Sequence, residues 1–128
     1  MKNQLLVADH DESVRKMVAR VLESAGYAVT SVGNGHEAVG GLNHAQPDLV
    51  LLDLETPKPE SWGIVEQIRR LYPWVPVVLM TAWCNQQDQA RKRGVEALME
   101  KPLDLPLLLS TIETLLARKA PIGENVRV

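Results

Sequence analysis

The chain has 128 residues, 45% of them apolar and 23% charged, with a formal net charge of −2. That is the size and composition of one folded domain with a core of its own, not of a disordered chain. A charge balance this close to neutral gives no general basic field for nucleic acid, while the single Cys84 excludes an internal disulfide and suits a reducing, cytoplasmic setting.

In chain order, "QLLVA" (4–8) reads as a strand covered on both faces, stopped by Asp9 and too short for a signal peptide or a membrane span. Asp11 is placed to cap a helix in which Val14, Met17, Val18, Val21 and Leu22 recur at three and four, with Gly26 as its stop. "YAVTSV" (27–32) is mixed and suits an edge strand. Asn34 with Glu37 forms a capping-box pattern ahead of Ala38, Leu42 and Ala45. "LVLL" (49–52) is a further apolar strand, followed by a helix through Val65, Ile68, Leu71 and Tyr72 that Pro73 ends. "VPVVLM" (75–80) predicts the fourth strand. In "NQQDQARKR" (85–93) only Ala90 is apolar, which predicts a weakly anchored and mobile helix. "EALM" (96–99) is a short fifth strand, and Asp104 caps a last helix carrying Leu105, Leu108, Leu109, Ile112, Leu115 and Leu116, with Pro106 in its first turn. "APIGENVRV" (120–128) has no periodicity, so the domain is expected over 1–118, with 119–128 as a C-terminal tail or the start of a linker.

Strands alternating with helices predict an α/β fold with one parallel sheet. Right-handed crossovers gather the C-terminal ends of its strands on one edge, where such sheets bind ligands. The residues expected there are Asp9 and His10, Asp53, Thr81, and Lys101 with Pro102. Singly, each has a plain explanation as a turn residue, a helix cap or a solvated charge. Together they bring two carboxylates, an imidazole, a hydroxyl and an ammonium to one edge.

The segments "VADHD", "PDLVLLDLETP", "VVLMTA" and "EKPLD", in this order and spacing, resemble the CheY-like receiver domain of bacterial response regulators, over residues 4 to about 118. The resemblance implies a flavodoxin-like, doubly wound sheet of order 2-1-3-4-5 with five helices. It implies a signalling domain rather than a turnover enzyme, which accepts a phosphoryl group from a histidine kinase or phosphotransfer protein onto Asp53. By the same resemblance Asp9, Asp53 and the Glu55 backbone carbonyl hold Mg²⁺, Thr81 and Lys101 bind phosphoryl oxygens, and the Lys101–Pro102 peptide is cis. Glu55 and Trp83 would flank the aspartyl phosphate and lengthen its life. The fourth helix, fifth strand and fifth helix would form a partner or homodimer face. Direct contact with nucleic acid or a membrane is not expected, and a transcriptional role would need an output domain after residue 128.

Four positions depart from the family pattern. His10 stands where a second acid is a direct metal ligand, and imidazole suits other divalent ions better than Mg²⁺. Either metal binding is weak, or Asp11 substitutes as ligand, or the domain is a phosphorylation-impaired pseudo-receiver serving as an interaction module. Lys58 and Pro59 stiffen a loop where a glycine is common, and Leu98 replaces the aromatic residue that rotates on activation. The signal is therefore expected to travel through backbone shift and reordering of residues 82–93, not through the swing of an aromatic side chain. A rival reading takes "DLET" (53–56) as the nucleophile motif of a haloacid-dehalogenase-type phosphatase, although it sits on the third strand. His36 and His44 read as solvated, Cys84 as inert, "RKR" (91–93) as a solvated face, and Trp74 as a packing residue.

Overall fold

The computed structural model describes residues 2–126. Its elements, in chain order, are β1 (Gln4–Ala8), α1 (Glu12–Ser24), β2 (Ala28–Val32), α2 (Gly35–Ala45), β3 (Leu49–Asp53), α3 (Pro59–Leu71), β4 (Val77–Thr81), α4 (Gln87–Lys92), β5 (Ala97–Glu100) and α5 (Leu105–Val126). The strands form one parallel sheet of order β2-β1-β3-β4-β5. The mixed run at β2 is indeed an edge, and the apolar runs of β1, β3 and β4 lie inside the sheet.

Strand side chains alternate faces, so each apolar run feeds two cores. Leu5, Val7, Leu49, Leu51, Val78 and Met80 pack with Val18 and Leu22 of α1 and with Leu108 and Ile112 of α5. Leu6, Ala8, Val50, Leu52, Val77 and Leu79 pack on the other face with residues of α2 and α3 and with Ala90 of α4. Gly35 lets α2 approach α3, because a Cβ there would stand 2.9 Å from the Ile64 side chain.

The caps follow the sequence chemistry. Asp11 accepts from the backbone N–H of Ser13 and Val14, and Asn34 accepts from that of Glu37. Past α1 the chain turns through Gly26 at φ +100. Asp104 accepts from the Leu107 N–H, and Pro59 occupies the first turn of α3.

Three expectations need correction. The fourth strand starts at Val77 rather than Val75, because Pro76 has no N–H for the ladder and Val75 donates back to the Tyr72 carbonyl instead. Trp74 is not a packing residue: it is 64% exposed and touches Tyr72 edge-on. Arg93 is not part of a solvated face, since its guanidinium lies 4.6 Å from the Trp62 ring centroid and its Nε 3.3 Å from Glu66. The helical backbone of α5 continues past residue 118 to Val126, while 127–128, the end of the expected tail, lie outside the described residues.

Candidate functional site

The strand order reverses between β1 and β3, and their C-terminal ends carry Asp9 and Asp53. Both carboxylates are buried, Asp9 completely. Two buried negative charges at one edge need counter-charge, because desolvation of an unpaired carboxylate is costly. Lys101, which follows β5, supplies it from across the sheet: its Nζ lies 2.9 Å from Asp9 Oδ2 and 3.3 Å from Asp53 Oδ1. The peptide between Lys101 and Pro102 is cis.

His10 supplies the second partner. Its Nδ1 is 2.5 Å from Asp53 Oδ2 and 3.8 Å from Asp9 Oδ1. The hydrogen bond to Asp53 is the main cause holding the imidazole above its ordinary pKa; burial opposes this, and the charges of Asp53, Glu55 and Asp9 add to it. At Lys101 burial pushes downward, but the hydrogen bonds and charges of Asp9 and Asp53 outweigh it and keep the ammonium above its usual range.

The remaining oxygens are also engaged. Asp9 Oδ1 accepts the Asp11 N–H at 2.9 Å, and the Asp9 carbonyl accepts from the Arg15 guanidinium at 2.7 Å. Thr81 is fully buried, and its hydroxyl donates to the Leu54 carbonyl at 3.4 Å while accepting the Trp83 N–H at 3.0 Å. The Glu55 carbonyl accepts the Trp83 indole N–H at 2.8 Å.

Asp9, His10, Asp53 and Lys101 are thus brought into one cluster. The Asp11 carboxylate is engaged as the α1 cap, and the Thr81 hydroxyl donates to the Leu54 carbonyl in the β3–α3 connection. Sequence reasoning missed Arg15 as a support of Asp9; its position four residues after the Asp11 cap was the available signal. It also missed the Trp83–Glu55 bond, for which a lone tryptophan in a polar loop gave no sign.

The cluster fits a divalent cation. Asp9, His10 and Asp53 each offer one ligand atom, all within 4.8 Å of one another. The two carboxylates are hard donors suited to Mg²⁺, and the imidazole extends the set toward Mn²⁺ or Zn²⁺. Beside Asp53 opens a cleft of about 620 Å³ lined by His10, Asn34, His36, Glu55, Glu60 and Ile64, among others. Among the described residues no helix is long and apolar enough to cross a membrane.

Known proteins resemble this chain in sequence and fold. The family model for the response regulator receiver domain matches residues 5–113. The transcriptional regulatory protein GlrR of Escherichia coli is 31% identical over 123 residues, and NtrC of Salmonella typhimurium is 30% identical over 109. These alignments cover 94% and 84% of this chain but only 28% and 23% of those relatives. A CheY-like receiver domain protein from Methanospirillum hungatei superposes with a TM-score of 0.87 at 22% identity, covering 96% of this chain and all of that one. NtrX from Brucella abortus, solved with ADP, gives 0.87 at 24% identity, with 99% of this chain and 29% of that chain covered.

Proposed function

The chain belongs to the response regulator receiver domain family, and from that premise we propose that it accepts a phosphoryl group on Asp53 from a histidine kinase or a phosphotransfer protein. The carrying observation is the bridge that Lys101 makes between Asp9 and Asp53 at the point where strand order reverses. An Asp53 carboxylate oxygen attacks the phosphorus of a phosphorylated imidazole, the P–N bond breaks, and the donor imidazole leaves with the electron pair. Lys101 neutralises charge on the acceptor and the phosphoryl oxygens. Asp9, Asp53 and the Glu55 carbonyl, with His10 as a weak member, would hold Mg²⁺ or a related divalent ion. When bound, such an ion supplies charge neutralisation on the transferred group.

His10 must first release Asp53 Oδ2, which it holds at 2.5 Å. Replacing His10 with aspartate should therefore tighten Mg²⁺ binding, measured by titration calorimetry. The Thr81 hydroxyl turns from the Leu54 carbonyl toward the phosphoryl group, carrying the β4–α4 connection with it. Trp83 and Glu55 flank the phosphoryl group, so Trp83→Ala should speed its hydrolysis. The shifted surface, with β5 and α5, then meets a partner or a second copy. The receiver residues are 1–118, and any output like that of the relatives, which are transcriptional regulators, lies outside them.

The test is mass spectrometry after incubation with acetyl phosphate and Mg²⁺: one phosphoryl adduct is expected, lost in Asp53→Asn. A second reading, a fixed interaction module, is favoured by the His10–Asp53 contact. It predicts no adduct on the wild-type chain. Steady turnover of an aryl phosphate would instead support the phosphatase reading.

A further inference from the structure

Each carboxylate oxygen of Asp9 and Asp53 already has a donor, and so does the carbonyl proposed to join them. Asp9 Oδ1 is held by the Asp11 amide, Asp9 Oδ2 and Asp53 Oδ1 by Lys101, and Asp53 Oδ2 by His10. The fifth, the Glu55 carbonyl, is held by the Trp83 indole at 2.8 Å. This last contact differs from the others. Its donor is a neutral side chain, and it ties together two separate connections, β3–α3 and β4–α4. Trp83 is 48% exposed, so its indole can leave the carbonyl for the side of the phosphoryl group while giving up little burial.

We infer that Trp83 is a latch whose indole occupies the Glu55 carbonyl until a divalent cation takes it, so that metal loading and Trp83 release are one event. The inference rests on the reading of Glu55 as a metal-binding carbonyl. A cation on that oxygen would compete with the indole hydrogen for it. The positive end of the N–H dipole and the cation repel, and the hydrogen bond yields. The backbone N–H of the same residue, Trp83, donates to the Thr81 hydroxyl at 3.0 Å. Opening the latch therefore frees the segment that Thr81 must pull inward. The aromatic residue that moves in this chain is then Trp83, whereas Leu98 stays packed against the core. Trp83 acts as a positioning residue, through the Glu55 carbonyl.

The experiment titrates the full chain with MgCl₂ and MnCl₂, following binding heat and tryptophan emission together. Using Trp74→Phe as the background removes the other exposed indole, so emission changes report on Trp83. Emission should change in step with the binding heat. Adding Trp83→Phe, which keeps a ring but removes the donor, should abolish the emission change. It should also tighten ion binding about two- to tenfold, the worth of one neutral competing hydrogen bond. Binding seen only when Trp83 is replaced supports the latch most strongly. Binding heat with no emission change, and the same affinity with Trp83→Phe, overturns the latch and leaves the metal reading standing. No binding heat in either protein at millimolar ion overturns the metal reading, and the latch with it.

Discussion

The two connections that lead from strand to helix beside Asp53 are built on opposite plans. After β1, each residue is held: Asp9 by Lys101 and the Asp11 amide, His10 by Asp53, and Asp11 as the cap of α1. The thirteen-residue helix that follows buries Val18 and Leu22. After β4, Asn85 adopts φ +62, Gln86 offers no side-chain cap, and the six-residue α4 buries Ala90 alone. Burial anchors the first connection and a few exchangeable hydrogen bonds hold the second. A site needs the rigidity of the first, and a moving surface needs the low opening cost of the second.

The largest test of this contrast is stability. Leu22→Ala should cost about 2–5 kcal/mol in urea unfolding, since it empties a fully buried position. Its counterpart in α4, Ala90→Gly, should cost about 1 kcal/mol. Equal losses would mean that α4 is as firmly anchored as α1, and the contrast would fall. Next comes the response to a phosphoryl mimic. A charge-assisted hydrogen bond from Thr81 is worth about 1.5–3 kcal/mol, similar to the gap between two states of a switch. With beryllofluoride bound, amide-exchange protection should change within residues 82–93, and Leu98→Ala should leave that pattern in place. An unchanged map with the mimic demonstrably bound would make the second connection as static as the first.

The same contrast explains how far the sequence could be read. Strands β1, β3 and β4 were legible because a continuous apolar run means burial on both faces, and the Asp11 and Asn34 caps because their chemistry is local. Asp9, Asp53, Thr81 and Lys101 were legible because the topology alone carries the ends of four strands to one edge. What stayed hidden depends on pairing between distant residues. That His10 would point its Nδ1 at Asp53, that Arg93 would lie over Trp62, and that Trp83 would reach the Glu55 carbonyl are each set by side-chain direction across two connections. Periodicity carries no information about such contacts.

A smaller effect separates the two helix starts. Asp11→Ala removes an acceptor from the N–H groups of Ser13 and Val14 and should cost about 1 kcal/mol. Gln86→Ala removes no cap bond and should stay within about 0.5 kcal/mol. If thermal unfolding shows the two losses to be equal, the Asp11 cap is not what anchors the first connection.

The smallest effect is electrostatic and belongs to His10. Its folded-state pKa is raised, chiefly by the hydrogen bond to Asp53. The native chain therefore binds this proton more tightly than the unfolded chain, whose histidine titrates near ~6.5. The stabilisation is fully present below that value and fades as pH rises through the folded-state pKa, so the pair weakens toward alkaline pH. The imidazole is 57% exposed, and solvent screens the pair, which limits the effect to about 1 kcal/mol or less. His10→Gln keeps polar contact without the charge. In chelator, from pH 5 to 9, wild type should exceed His10→Gln in stability at the acid end and converge with it at the alkaline end. A difference that is flat, or that grows with pH, would show that Asp53 does not draw its second counter-charge from His10. Lys101 alone would then balance both carboxylates, and Asp53 Oδ2 would be open to a cation without any proton having to leave first.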